Sequence, residues 1–250
     1  MIKNYVCVYD LETGGKNKYK CQPVQISAIM IDLPRLEIVE DSLFESKIKP
    51  IWDKKICEKE GIDEFDDGSI EIHRLTREIL DKAPELTVVW ENFQNYLKQY
   101  NLKGLKGRMW DAPIPGGFNN RNFDDFIIRR LCERYGPKLD EWGGWKLFHP
   151  VHNFDLYQTS ISLFHNKKIS SGRVSYSLDT LREYHGISKE QAHNAKKDVL
   201  DTAFLLIKHL RMLREISHGH FYREVGENKY SSIQFKNCFE QENEKIKGLL

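Results

Sequence analysis

The sequence predicts an α/β protein with a mixed central sheet flanked by helices. Three observations carry that prediction. A continuous apolar run, Tyr5-Val6-Cys7-Val8-Tyr9, reads as a strand buried on both faces. The first third of the chain is strand-like, and after Pro84 the apolar period changes from two to that of a helix. Helical and strand-like segments then alternate, which suits a sheet covered by helices.

Taken in order, the first strand is followed by a polar loop from Gly14 to Lys20 and then by Val24 to Asp32, VQISAIMID. In Ser42 to Lys49, Phe44 and Ile48 alternate with Glu45, Lys47 and Lys49, as in a half-buried strand. The first connection is too short for a crossover, so the first two strands should pair antiparallel. Beyond Pro84, Val89, Phe93, Leu97 and Tyr100 fall at helical spacing. The stretch Ala112-Pro113-Ile114-Pro115-Gly116-Gly117 should hold only a short or bulged strand, because two prolines fit poorly in a ladder. The next helix carries Phe123, Ile127, Leu131 and Tyr135 on one stripe and stops at Gly136-Pro137. Val151 to Leu156 reads as a further strand, and Ser177 caps a short helix ending near Gly186. The last helix shows Val199, Ala203, Leu206, Leu210 and Leu213 on one stripe. Periodicity is lost after about Ser217, which divides the chain into a domain over 1–216 and a C-terminal extension over 217–250.

Composition narrows the class without choosing a function. The 250 residues carry 38 Lys+Arg against 37 Asp+Glu, a net charge of +1, with 40% hydrophobic and 30% charged residues. A fibrous or broadly disordered chain is excluded. So is any simple inference from a basic protein to a polyanionic partner; a grip on one must be local. Five scattered cysteines without a CxxC pair support neither a disulfide framework nor a zinc ribbon, and Cys132 falls on a core stripe. The N-terminus is no signal peptide and no apolar stretch is long enough to span a membrane, so a cytoplasmic protein with reduced thiols is expected.

The chemistry is carried by acids. Asp10 and Glu12 end the first strand, in YDLETGG, two residues apart and therefore on one face. The glycines that follow, Gly14 and Gly15, break the strand and let the backbone approach a ligand. Asp124 opens the helix in FNNRNFDDF, and Asp198 begins the last helix in AHNAKKDVLDT. Acids in a first helical turn commonly just complement the helix dipole, and Asp125 is read that way. His193 lies five positions before Asp198, a divergence of roughly 140° in a continuous helix. The two can converge only if His193 lies on the entering segment, with Asn194 as cap; Ser188 and Gln191 offer a competing cap upstream. Carboxylates from strand ends and helix starts that meet at one sheet end would repel unless cations lay among them. Oxygen ligands select Mg²⁺ or Mn²⁺. Two such ions roughly 3.5–4 Å apart suit phosphodiester hydrolysis, and a neutral histidine could take the proton of the attacking water.

The order Asp10-Leu11-Glu12-Thr13-Gly14, then Asn120-Arg121-Asn122-Phe123-Asp124, then His193 to Asp198 resembles the DEDDh 3′→5′ exonucleases, which have a ribonuclease-H-like fold with a five-stranded mixed sheet. The family includes proofreading exonuclease subunits, ribonuclease T and oligoribonuclease. The likeness runs from about residue 5 to residue 213 and takes in His73 to Pro84 and Tyr176 to Ile187. It implies that Asp10, Glu12, Asp124 and Asp198 hold two Mg²⁺ or Mn²⁺ ions, with Asp10 bridging, and that His193 is the general base. It also implies that Leu11 packs on the terminal base, that Thr13 contacts its sugar, and that Asn120 orients the strand, with Gly14 and Phe123 completing the substrate contacts. The implied substrate is single-stranded DNA or RNA with a free 3′ end, released as nucleoside 5′-monophosphates. A homodimer and a polymerase partner in trans are compatible with this. A phosphodiesterase for short oligonucleotides or dinucleotides, and an inactive nucleic-acid-binding module, are the alternatives.

Other candidates have plainer readings. Trp142-Gly143-Gly144-Trp145 reads as a core plug before a stacking platform, and His149, His152, His218 and His220 as surface histidines. Lys16, Lys18 and Lys20, with Lys196 and Lys197, are candidates for a basic rim.

Overall fold

The computed structural model describes residues 4–102, 109–137, 147–164, 175–189 and 194–217. Its organising element is β1 (Tyr5–Thr13). Alternation along β1 serves two cores at once. Val6 and Val8 pack among Leu156, Leu181, Val199 and Ala203, whereas Cys7, Tyr9 and Leu11 pack among Val89, Phe93, Ile127 and Leu131. The unbroken apolar run follows from this two-sided burial.

The short connection works as expected, and β2 (Pro23–Asp32) pairs antiparallel with β1. On the other side of β2 lie β3 (Glu37–Ile38), against Ile31 and Asp32, and β4 (Phe44–Lys47), against Gln25 to Ala28. These two segments share one edge, so six segments fill five strand positions. A two-residue strand with both side chains exposed leaves no period in the sequence, which is why β3 is not predicted. Beyond β1 come β5 (Ile114–Gly117) and β6 (Phe154–Asp155), both parallel, making the sheet mixed.

Helices α1 (Lys54–Glu60), α2 (Ile70–His73) and α3 (Arg77–Asp81) follow the β4 edge. Next, α4 (Leu86–Gln99) and α5 (Asp124–Tyr135) cover the face bearing Cys7 and Tyr9. On the opposite face lie α6 (Leu156–Phe164), α7 (Leu178–Tyr184) and α8 (Ala195–Ser217). Ser177 caps α7 as expected, its hydroxyl accepting from the Thr180 amide at 3.2 Å.

Three sequence expectations are corrected. The buried face of α5 is Asp124, Ile127, Ile128, Leu131 and Cys132, which turns Tyr135 out to 37% exposure. Leu213 is exposed, and α8 instead buries every residue from Leu205 to His209, because the sheet and α6 enclose it from two sides. The strand expected over Val151 to Leu156 shrinks to Phe154 and Asp155, with Val151 in solvent. His149 and His152 stack on each other at 4.6 Å. Trp142, Trp145, His218, His220 and the 218–250 part of the extension lie outside the described residues. Cys7, Cys21, Cys57 and Cys132 are free and buried, and no described helix is long and apolar enough to cross a membrane.

The two prolines explain the brevity of β5. Pro115 sits opposite Cys7, and pairing to β6 begins only at Gly116. A Cβ at Gly117 would come within 2.9 Å of the Tyr9 carbonyl oxygen and of Asn120 Cβ, so the turn toward α5 closes only on glycine. Gly117→Ala should therefore lower unfolding free energy by about 1–3 kcal/mol through overpacking, measured by urea denaturation.

Candidate active site

Asp10 and Glu12 continue the face of β1 that begins with Val6 and Val8, so they point toward α8. That helix starts where Asn194 caps it, its side-chain oxygen accepting from the amides of Lys196 (3.1 Å) and Lys197 (3.4 Å). Ala195 and Val199 are fully buried and seat the first turn on the sheet. Asp198, in that turn, is thereby carried to β1. One oxygen from each of Asp10, Glu12 and Asp198 lies within 4.8 Å of the others.

Asp124 arrives from the other direction. The chain leaves β5, passes Asn119 in the left-handed conformation (φ 57°), and makes a 3₁₀ turn over Asn120–Asn122 before α5. Asparagine tolerates that conformation better than most residues. Asp155 at the end of β6 fixes the turn, accepting from the Asn119 amide at 2.9 Å. Asp124, only 6% exposed, then accepts from the Leu11 amide at 3.1 Å, between the two acids of β1.

Four carboxyls so placed perturb one another. Burial, then repulsion from Asp198, raises Asp10 to about 7, and Arg182 partly offsets the rise. Glu12 is raised to about 9 by burial and by Asp10, Asp198 and Asp124. Asp124 is pushed well up by burial and by Asp10, against the opposing pull of its backbone hydrogen bonds.

The remaining sequence candidates fare unevenly. Beside Glu12 opens a cleft of about 240 Å³ lined by Thr13, Lys16, Ser69, His73 and Phe123, among others. Thr13 and Phe123 thus face it. His73 is fixed there, its Nδ1 accepting from the Leu75 amide at 3.0 Å and its Nε2 3.1 Å from the Ser69 hydroxyl. Leu11 is 7% exposed and belongs to the core. Gly14 packs against Phe65, which a Cβ there would meet at 2.4 Å, and its amide donates to the Gln22 carbonyl while its own carbonyl accepts from the Asp66 amide. Asn120 is fully enclosed against Gly117, which makes it a part of the turn and not a surface contact. Lys18 donates to the Asn122 carbonyl at 2.9 Å and lies 3.8 Å from the centre of the Phe126 ring, while Lys197 pairs with Asp201. Of the lysine rim, Lys16 lines the cleft. His193 lies outside the described residues, directly before Asn194 in the chain.

Two groups escaped the sequence reading. Asp125 is more than a dipole partner: it accepts from the Tyr9 hydroxyl and from Asn153 Nδ2, which ties the first turn of α5 to β1. Arg182 is buried against Asp198, Asp201 and Asp179. Its signal was present in the sequence, because Leu178, Leu181 and Arg182 share one helical face and an arginine occupies an apolar stripe.

A mixed sheet with an antiparallel first pair, two parallel strands beyond β1 and acids converging at the end of β1 defines the ribonuclease-H-like fold. Among solved structures the chain is similar to cell-death related nuclease 4 (CRN-4), with 18% identity, a TM-score of 0.58, and coverage of 84% of this chain and 64% of that one. It is also similar to E. coli exonuclease I in a zinc-ion-bound complex with single-stranded DNA, with 20% identity, a TM-score of 0.63, and coverage of 86% and 42%. The same enzyme with a dT13 oligonucleotide gives 20% identity, a TM-score of 0.63, and coverage of 86% and 43%. The chain thus spans less than two thirds of the length of either protein, and likeness at this identity establishes a shared fold. No protein-family model and no curated protein sequence matches it.

The raised carboxyls fix the sign of a pH effect. Asp10 and Glu12 bind protons in the metal-free folded state that they lose on unfolding above about pH 5, where exposed carboxyls are ionised. Their contribution is complete below their ordinary values and is lost as pH rises through about 7 for Asp10 and about 9 for Glu12. The melting temperature of EDTA-treated protein should fall across this window, and Asp10→Asn should flatten the fall, as read by thermal denaturation over a pH series.

Proposed function

We propose that this protein is a metal-dependent 3′→5′ exonuclease that removes nucleoside 5′-monophosphates from single-stranded DNA or RNA. The observation carrying the reading is the convergence of Asp10, Glu12 and Asp198, with Asp124 on the Leu11 amide, at one end of a ribonuclease-H-like sheet. The fold supports it further, being shared with two nucleases, one of them seen with single-stranded oligonucleotides.

The donor set fits a hard divalent cation. Every group is a carboxylate, and the mutual repulsion that raises Asp10 and Glu12 is what a cation among them would relieve. Asp10, Glu12, Asp124 and Asp198 would hold two Mg²⁺ or Mn²⁺ ions, which supply Lewis-acid polarisation of phosphate and a nucleophilic water at neutral pH. The chain's own residues do the rest. Asp124 stays fixed by its backbone hydrogen bond, so one ligand is set before substrate arrives. His193, next to the capping Asn194, takes the water proton. The cleft beside Glu12 receives the terminal nucleotide, with Phe123 as an apolar wall for the base and Lys16 for phosphate.

The test is product analysis on 5′-labelled single-stranded DNA and RNA, with and without Mg²⁺. A metal-dependent ladder shortening from the 3′ end is expected, and intact strands under all conditions would overturn the reading. Asp10→Ala should cost about 10³-fold or more in turnover with the fold retained, because such groups act as a unit. His193→Ala should cost about 10²–10⁴-fold in turnover while leaving Mn²⁺ affinity unchanged.

A further inference from the structure

Arg182 is the largest fully buried side chain of the described residues, and it stands on a helix face otherwise made of Leu178 and Leu181. Each arm of the guanidinium meets a different carboxylate. Nε donates to Asp201 at 2.7 Å, Nη1 to Asp179 at 2.8 Å, and Nη2 to Asp198. Asp198 and Asp201 are one turn apart on α8, and Asp201 also takes Lys197. Stability alone does not account for an arginine here. An apolar side chain of similar volume usually serves a core at least as well, since the desolvation of a buried ion pair consumes most of its attraction.

We propose that Arg182 is a positioning residue for the acidic centre: it holds one oxygen of Asp198 so that the carboxylate is aligned with Asp10 and Glu12, and it thereby sets the affinity of the centre for divalent cations. Asp201 and Asp179 seat the guanidinium, and the seated guanidinium fixes Asp198. The planar fork is what does this, because three directed donors at fixed angles restrict a carboxylate in a way that a point charge does not. The inference rests on the metal-binding reading above and adds to it a residue outside the three motifs.

Charge and orientation predict opposite signs, which makes the idea testable. A cation beside a ligand repels a divalent ion, so Arg182 acting by charge alone would weaken binding. Acting by orientation, it strengthens it. Arg182→Lys keeps the charge and removes the fork. Mn²⁺ binding to the full-length protein is followed by the loss of the free-ion signal in electron paramagnetic resonance, without nucleic acid, below the melting temperature of each variant. R182K should bind about ten-fold or more weakly, as expected when a partner that orients a ligand is lost. Should R182K fail to fold, Asp179→Asn decides: its carboxylate is 43% exposed and can be neutralised without opening the core. In 0.3 M KCl, where a distant exposed charge is screened, D179N should bind about three-fold more weakly, the scale of one exposed pair. Unchanged or tighter Mn²⁺ binding in folded R182K, or in D179N where R182K does not fold, overturns the positioning role while the metal reading stands. A wild-type protein that binds no Mn²⁺ overturns that reading and this role with it.

Discussion

Like charges held together at the C-terminal end of β1 are the constraint around which the rest of this molecule is arranged. Asp10 and Glu12 cannot separate, because both are laddered to β2, opposite Ser27 and Gln25, and residues two apart on a strand share a face. Asp198 cannot retreat, since the first turn of α8 is capped by Asn194 and seated through Ala195 and Val199. The fold relieves the crowding at two points. The Leu11 amide donates to Asp124, and the Arg182 guanidinium to Asp198. Neither reaches Glu12, the group surrounded by the other three acids and raised to about 9.

Both faces of β1 serve the site, by different means. One face presents Asp10 and Glu12 directly. The other presents Tyr9, whose ring stacks on Phe148 at 5.3 Å and whose hydroxyl donates to Asp125. That bond holds the first turn of α5, and so fixes the adjacent Asp124 against Leu11. A strand buried on both faces can therefore gather carboxylates that reach it from opposite layers of the protein, and this is the structural use of the unbroken apolar run. The glycines of β5 belong to the same arrangement. With no Cβ at Gly117, the enclosed Asn120 fits beneath the turn into α5.

What the sequence discloses and what it hides follow one physical division. Periodic features were legible: β1, β2, α4, α7 and α8 all carry strong apolar patterns or caps, and the acids of β1, α5 and α8 stand at element boundaries where strand geometry and helix starts converge. Features set by tertiary contact were not. The outward turn of Tyr135 depends on which side of α5 meets β1, and the burial of Lys208 and His209 on α6 enclosing the far side of α8. Gly14 illustrates the limit most clearly. Its lack of a side chain is needed, but for Phe65, which lies 51 positions later and is invisible to any local reading. Arg182 was legible in principle, since a charge on an apolar stripe must find partners. Only the fold says that one of them is Asp198.

The near balance of charge in the chain bears on how an acidic centre could meet a polyanion at all. A phosphodiester approaching Asp10, Glu12 and Asp198 adds negative charge where the protein already concentrates it. Arg182, which meets Asp198 directly, and Lys197, the residue before Asp198 in the chain, are both engaged with aspartates. Arg182 is moreover enclosed, so it can orient Asp198 without touching a substrate. Lys18, in the loop after β1, is turned onto the Asn122 carbonyl and the Phe126 ring. On the proposed function, the sign of the site is reversed chiefly by divalent ions drawn from solution, with Lys16 the one lysine among the described residues that line the cleft beside Glu12. A chain of nearly zero net charge would then act on a polyanion through ions it gathers at one sheet end, with Arg182 determining how firmly it holds them.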